Sequence, residues 1–105
     1  MVEHLNSLEH FNQLVAPEDA DLVIVDYYAD WCGPCKAAAP IFEEMAQTHK
    51  TAKFYKVNVD KAVDLAADGK ISSLPTFKIF KNGVLVGTVI GFDKIKIEKH
   101  IAEHK

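Results

Sequence analysis

The sequence predicts an α/β fold, a mixed central sheet with helices on both faces. Three observations predict it. The run Leu22–Tyr28 (LVIVDYY) is β-branched, aromatic and apolar at both alternating sets of positions, as a central strand covered on both sides must be. Strand-like and helix-like segments alternate along the chain, which implies parallel pairing early. Further on, Lys81-Asn82-Gly83 carries an Asn-Gly pair, the strongest short hairpin signal, so antiparallel strands complete the sheet.

A short first strand at Val2–Leu5 fits the pattern. Leu8, Phe11, Leu14 and Val15 then fall on one helical face behind Ser7 as N-cap, and this helix ends before Pro17. After the strand Leu22–Tyr28, a second helix opens near Pro34, where a missing N–H costs nothing. Cys35, Ala38, Phe42 and Met45 share one of its faces, and Pro40 should kink it rather than end it. Lys53–Val59 alternates as a strand. Asp60 is expected to cap a short helix through Ala62, Leu65 and Ala66 that Gly69 closes. Thr76–Phe80 and Val84–Ile90 are the hairpin strands. Lys94–Ile97 alternates and could pass for a strand, yet Asp93 is a good N-cap and Phe92 and Ile97 are spaced as a hydrophobic staple, so a final helix is expected.

With 105 residues the chain fits one domain and can bury a core without disulfide staples. A net charge of −3 argues against nucleic acid as partner. The apolar stretch Leu22–Val25 is too short to span a bilayer. No basic start followed by an apolar run opens the chain, and the C-terminus carries no retention or lipidation signal, so a cytoplasmic, reducing setting is expected. A monomer that engages no membrane is expected with it.

The two cysteines, Cys32 and Cys35, stand three residues apart. Closing so short a loop hardly constrains the unfolded chain, so redox chemistry or metal ligation remains. A thiol attacks only as the thiolate. Cys32 lies where the strand gives way to the second helix, so its sulfur faces unpaired N–H groups and the positive end of the helix dipole, and both favour the anion. Cys35 follows about one turn later on the same face. Cys32 is therefore expected to attack a substrate disulfide and Cys35, the more buried sulfur, to resolve the mixed disulfide.

Cys35 must lose a proton to do so. Asp26 is the only charged residue in the run Leu22–Tyr28; if buried there, its pKa rises and suits a proton acceptor near neutral pH. A solvated position at the strand end is the alternative. Lys56, on the strand Lys53–Val59, is either a partner to Asp26 or one more solvated lysine, and pattern alone favours the latter.

The segment Asp26-Tyr27-Tyr28-Ala29-Asp30-Trp31-Cys32-Gly33-Pro34-Cys35-Lys36 resembles the active-site segment of the thioredoxin family, whose signature is Trp-Cys-Gly-Pro-Cys. The resemblance continues through Pro40, Lys56, Asn58, Asp60, Leu74-Pro75-Thr76, Lys81-Asn82-Gly83 and Gly91, and covers essentially the whole chain. It implies the thioredoxin fold, a mixed five-stranded sheet flanked by four helices, and protein-disulfide reductase activity. It implies a cis-proline at Pro75 facing the cysteines, with the Leu74 backbone pairing to an extended substrate. It also implies Asp26 as the buried aspartate with Lys56 its neighbour. Trp31, Gly33, Pro34, Leu74, Pro75, Thr76 and Gly91 would form the substrate-contact patch. No bound cofactor is implied; electrons would come from NADPH through a thioredoxin reductase to protein disulfide substrates. Tyr28, the run Ala37-Ala38-Ala39, Phe92 and the lack of further cysteines depart from common family patterns and bear on partner preference.

Three other readings compete. A Cys₂His₂ zinc set with His100 and His104 has a gap far longer than a zinc finger's, so no metal site is expected and the two histidines read as solvated. His4, His10 and His49 carry no motif spacing either. A disulfide oxidant or isomerase fits a histidine-containing dipeptide between the cysteines and an oxidising compartment better than Gly33-Pro34. A pure binding module would be indifferent to loss of Cys35.

Overall fold

The computed structural model describes residues 2–105. The chain runs β1 (Glu3–His4), α1 (Leu8–Leu14), β2 (Leu22–Tyr28), α2 (Gly33–Thr48), β3 (Ala52–Asn58), α3 (Val63–Asp68), β4 (Thr76–Lys81), β5 (Val84–Ile90) and α4 (Lys94–His104). The five strands lie in the order β1-β3-β2-β4-β5. β1, β3 and β2 pair parallel, whereas β4 is antiparallel to β2 and β5 to β4. The mixed sheet with four helices is thus the one the sequence predicts.

Side-chain alternation along β2 sorts the core into two layers. Leu22 and Ile24 pack with Phe42 and Met45 of α2 and with Ile97 and Ile101 of α4. Val23, Val25 and Tyr27 point the other way, against Leu8, Phe11 and Leu14 of α1 and Leu65 of α3. Asp26 has the parity of Leu22 and Ile24, so its carboxylate belongs to the face that α2 covers.

Local chemistry sets the ends. Ser7 Oγ accepts the His10 N–H at 3.1 Å, and Asp93 Oδ1 accepts the Lys96 N–H at 3.1 Å, as N-caps should. Phe92 and Ile97 join the same core layer. α2 continues through Pro40 to Thr48, because the apolar face it must bury continues too.

The short third helix departs from expectation. Its N-cap is Ala62, with no side-chain cap, and Asp60 lies outside it. Asp64 accepts the Leu65 N–H at 2.8 Å and the Leu8 N–H at 2.9 Å, serving the starts of two helices at once. Gly69 does end the helix, but in right-handed conformation at φ −77°, and the left-handed residue is Lys70 at φ 54°.

The hairpin turn has Asn82 at φ 51° and Gly83 at φ 82°, the positive pair a two-residue type I′ turn needs. A Cβ on Gly83 would collide with the Ala16 carbonyl. Gly83→Ala should therefore destabilise the fold by roughly 2–4 kcal/mol, from the left-handed backbone plus a forced shift at Ala16. Urea denaturation checks this; an unchanged midpoint would contradict it.

Candidate active site

Cys32 is the N-cap of α2, in extended conformation at φ −86° and ψ 111°. It forms a disulfide with Cys35, the two Cα atoms lying 5.2 Å apart. Cys32 Sγ accepts the Cys35 backbone N–H at 3.2 Å. The first sulfur thus sits among the unpaired amides that begin a helix, where negative charge is favoured. The strand-to-helix junction produces this placement: β2 ends at Tyr28, Ala29 is buried beside both cysteines, and Pro34 opens the helix without forfeiting an amide.

Burial barely separates the two cysteines, Cys32 being 5% and Cys35 4% exposed. What differs is the direction of approach. Cys32 lines a groove of about 500 Å³ with Trp31, Gly33, Pro34 and Leu74. Cys35 instead lines a separate pocket of about 430 Å³ with His4, Tyr28, Asp30 and Lys56. The two cysteines are therefore reached through two different openings.

The Leu74–Pro75 bond is cis, as the resemblance implied. Leu74 packs beside the disulfide, and the Pro75 carbonyl accepts the Gly91 N–H at 2.8 Å with Gly91 at φ 79°. Thr76 is buried, its hydroxyl donating to the Ser73 carbonyl at 2.6 Å. Thr76 thus holds the turn before β4, and neither it, Pro75 nor Gly91 lines the groove wall. Val59, Ala66, Ile71 and Ser72 do line it; nothing local in their sequence marks them, because α3 and the loop after it bring them there.

Asp26 is 1% exposed, which decides against the solvated position at the strand end. Oδ1 has no hydrogen-bond partner among the described residues. Burial pushes its pKa from 3.8 up to about 7, against a smaller downward pull from Lys56. Asp26 and Lys56 are directly paired across β2 and β3. The Lys56 ammonium lies 4.6 Å from the centre of the Tyr28 ring, and among the described residues no ion pair joins it to Asp26. Lys56 is therefore an electrostatic neighbour of Asp26, partly shared with an aromatic face.

Trp31 is 71% exposed at the groove, yet its indole N–H donates to Asp60 Oδ2 at 2.8 Å. This is the role of the residue expected to cap α3. Asp60 is itself set by its backbone N–H donating to Asn58 Oδ1 at 3.0 Å.

The geometry is matched by kinship. The thioredoxin family model matches residues 2–103. The chain belongs to the thioredoxin family. It is similar to Thioredoxin 1 of Plasmodium falciparum, 41% identical over 106 residues, covering 97% of this chain and 100% of that one. Among solved structures, Fasciola hepatica thioredoxin superposes with a TM-score of 0.93 at 32% identity, covering 99% of this chain and 100% of the other. A chain from a structure on the thiol-resolving mechanism of a yeast mitochondrial 1-Cys peroxiredoxin, via glutathione/thioredoxin systems, superposes with a TM-score of 0.90 at 32% identity, covering 97% and 94%. In this family a dithiol–disulfide pair exchanges with protein disulfides, so this chain is a thiol–disulfide oxidoreductase. No helix among the described residues is long and apolar enough to cross a membrane.

Proposed function

We propose that Cys32 is the attacking thiolate, Cys35 the resolving thiol and Asp26 the proton acceptor of a reductase recycled by an NADPH-dependent thioredoxin reductase in a reducing, cytoplasmic setting. The observation that carries the roles is the N-cap position of Cys32 on the groove wall, its sulfur accepting the Cys35 amide. The Cys32 thiolate attacks one sulfur of the substrate disulfide; that bond breaks, and the departing thiolate takes a proton. Cys35, its proton passed to Asp26, then attacks Cys32 Sγ. The second substrate thiol leaves, the Cys32–Cys35 disulfide forms, and two electrons have passed to the substrate. Lys56 favours the charged form of Asp26 and so tunes the acceptor.

Trp31, Gly33, Pro34 and Leu74 give the substrate an apolar seat, and Pro75, Thr76 and Gly91 hold the adjoining backbone in place. The partners that fit are protein disulfides, peroxiredoxin-type mixed disulfides among them. The test is disulfide reduction with NADPH and a thioredoxin reductase. Steady NADPH consumption that requires this protein is expected; none with reductases of several types would contradict the reading.

Asp60→Ala frees the Trp31 indole. It should raise KM for a protein disulfide a few-fold with little change in kcat, the scale of one exposed charge-assisted hydrogen bond. Steady-state kinetics check this; an unchanged KM would show that the bond does not position Trp31 for substrate.

A further inference from the structure

His100 and His104 stand one turn apart near the end of α4, with Glu103 beside them. One ligand atom from each of the three lies within 4.8 Å of the others. The two imidazoles are nearly parallel, 9° between planes and 6.1 Å between centres. The His100 ring rests against Gly87 of β5, where a Cβ would come within 2.5–3.0 Å of three ring atoms. Gly87 thus makes room for this imidazole and the sheet fixes it. Its Nδ1 is buried and, among the described residues, has no hydrogen-bond partner, an uncommon state for a buried polar atom. Glu103 is exposed and His104 half-buried, so the cluster opens to solvent.

We propose that His100, Glu103 and His104 form a binding site for a divalent transition cation of the zinc type, with water completing the coordination. Two imidazoles and a carboxylate suit zinc and not calcium or magnesium. Zinc–ligand distances of about 2.0–2.2 Å put neighbouring donors about 3–4 Å apart, a small adjustment from the observed spread. The helix supplies the spacing and Gly87 the ring position, so little ordering is left for binding to cost. The C-terminal end of α4 is also the negative end of its dipole, which favours a cation. Lys99 and Lys105 flank the cluster in sequence, and their positive charge lowers its affinity for a cation. The cysteines take no part, so the site is unlike the Cys₂His₂ set weighed from the sequence.

The test uses the oxidised protein, in which no thiolate competes for metal. Calorimetric titration with zinc chloride should give one site per chain, and the ring signals of His100 and His104 should shift in NMR spectra. His104→Ala, at a half-buried position that leaves the Gly87 contact intact, should weaken zinc binding at least tenfold while the circular dichroism stays unchanged. Glu103→Gln should weaken it several-fold, and calcium should not bind. Absence of binding at 1 mM zinc, equal affinity in His104→Ala, or calcium binding as tight as zinc would each overturn the proposal.

Discussion

Cys32→Ser should abolish disulfide reduction, lowering NADPH-coupled turnover by at least ~10³-fold, because a serine hydroxyl in place of the thiolate is no nucleophile at neutral pH. Cys35→Ser should stop turnover as completely by a different route. Cys32 keeps its place at the N-cap and on the groove wall, so the first attack survives and the enzyme stalls as a mixed disulfide. Neither change should unfold the protein, since the disulfide spans a sequence separation of 3 and closes too short a loop to add much stability. Wild-type turnover in either variant would remove the pair from the mechanism.

Asp26→Asn should make the protein more stable at pH 8 and leave it nearly unchanged at pH 4. In the folded chain the carboxyl holds its proton up to about pH 7, whereas its ordinary value is 3.8. Between these values the native state binds more protons than the unfolded state, so stability falls as pH rises. The contribution is fully present below pH 3.8 and gone above about pH 7, where folding must bury a charged carboxylate. The gap converts to roughly 4 kcal/mol at most, which asparagine should largely recover. Urea denaturation of both oxidised proteins across this range is the measurement. The difference between the two curves isolates Asp26 from every other titrating group; parallel curves would mean the carboxylate is solvated after all. The buried acid is therefore a cost to the fold at neutral pH, and the proposed proton-acceptor role is what would offset it.

These residues also show what the sequence makes legible. A lone acid inside the apolar run Leu22–Tyr28 points to a buried carboxylate but leaves a solvated strand end open, and its 1% exposure decides between them. The helix start at Cys32 and the Asn82-Gly83 turn are equally local, each resting on a few adjacent residues. Non-local pairing is what the pattern cannot carry. Lys56 meets Asp26 through the β2–β3 register and meets Tyr28 through its ammonium, and no periodicity along β3 distinguishes it from a solvated lysine. Asp60 has the chemistry of a helix cap and sits before a helix, yet its carboxylate is taken by an indole 29 residues earlier. For Leu74 and Pro75, only the family resemblance points to a place near the sulfurs. The groove's far wall, Ala66 and Ile71, comes from α3 and the loop that leaves it. His100 read as solvated because its notch is cut by Gly87, on a different element.

The role of Cys32 as attacking sulfur is tested most directly by trapping. Reduced Cys35→Ser protein is mixed with a disulfide-containing protein, free thiols are blocked, and the adduct is mapped by peptide mass spectrometry. One substrate chain per molecule, joined to Cys32 and released by a small dithiol, is the predicted result. No adduct, or an equal yield from a Cys32→Ser protein that retains Cys35, would contradict it.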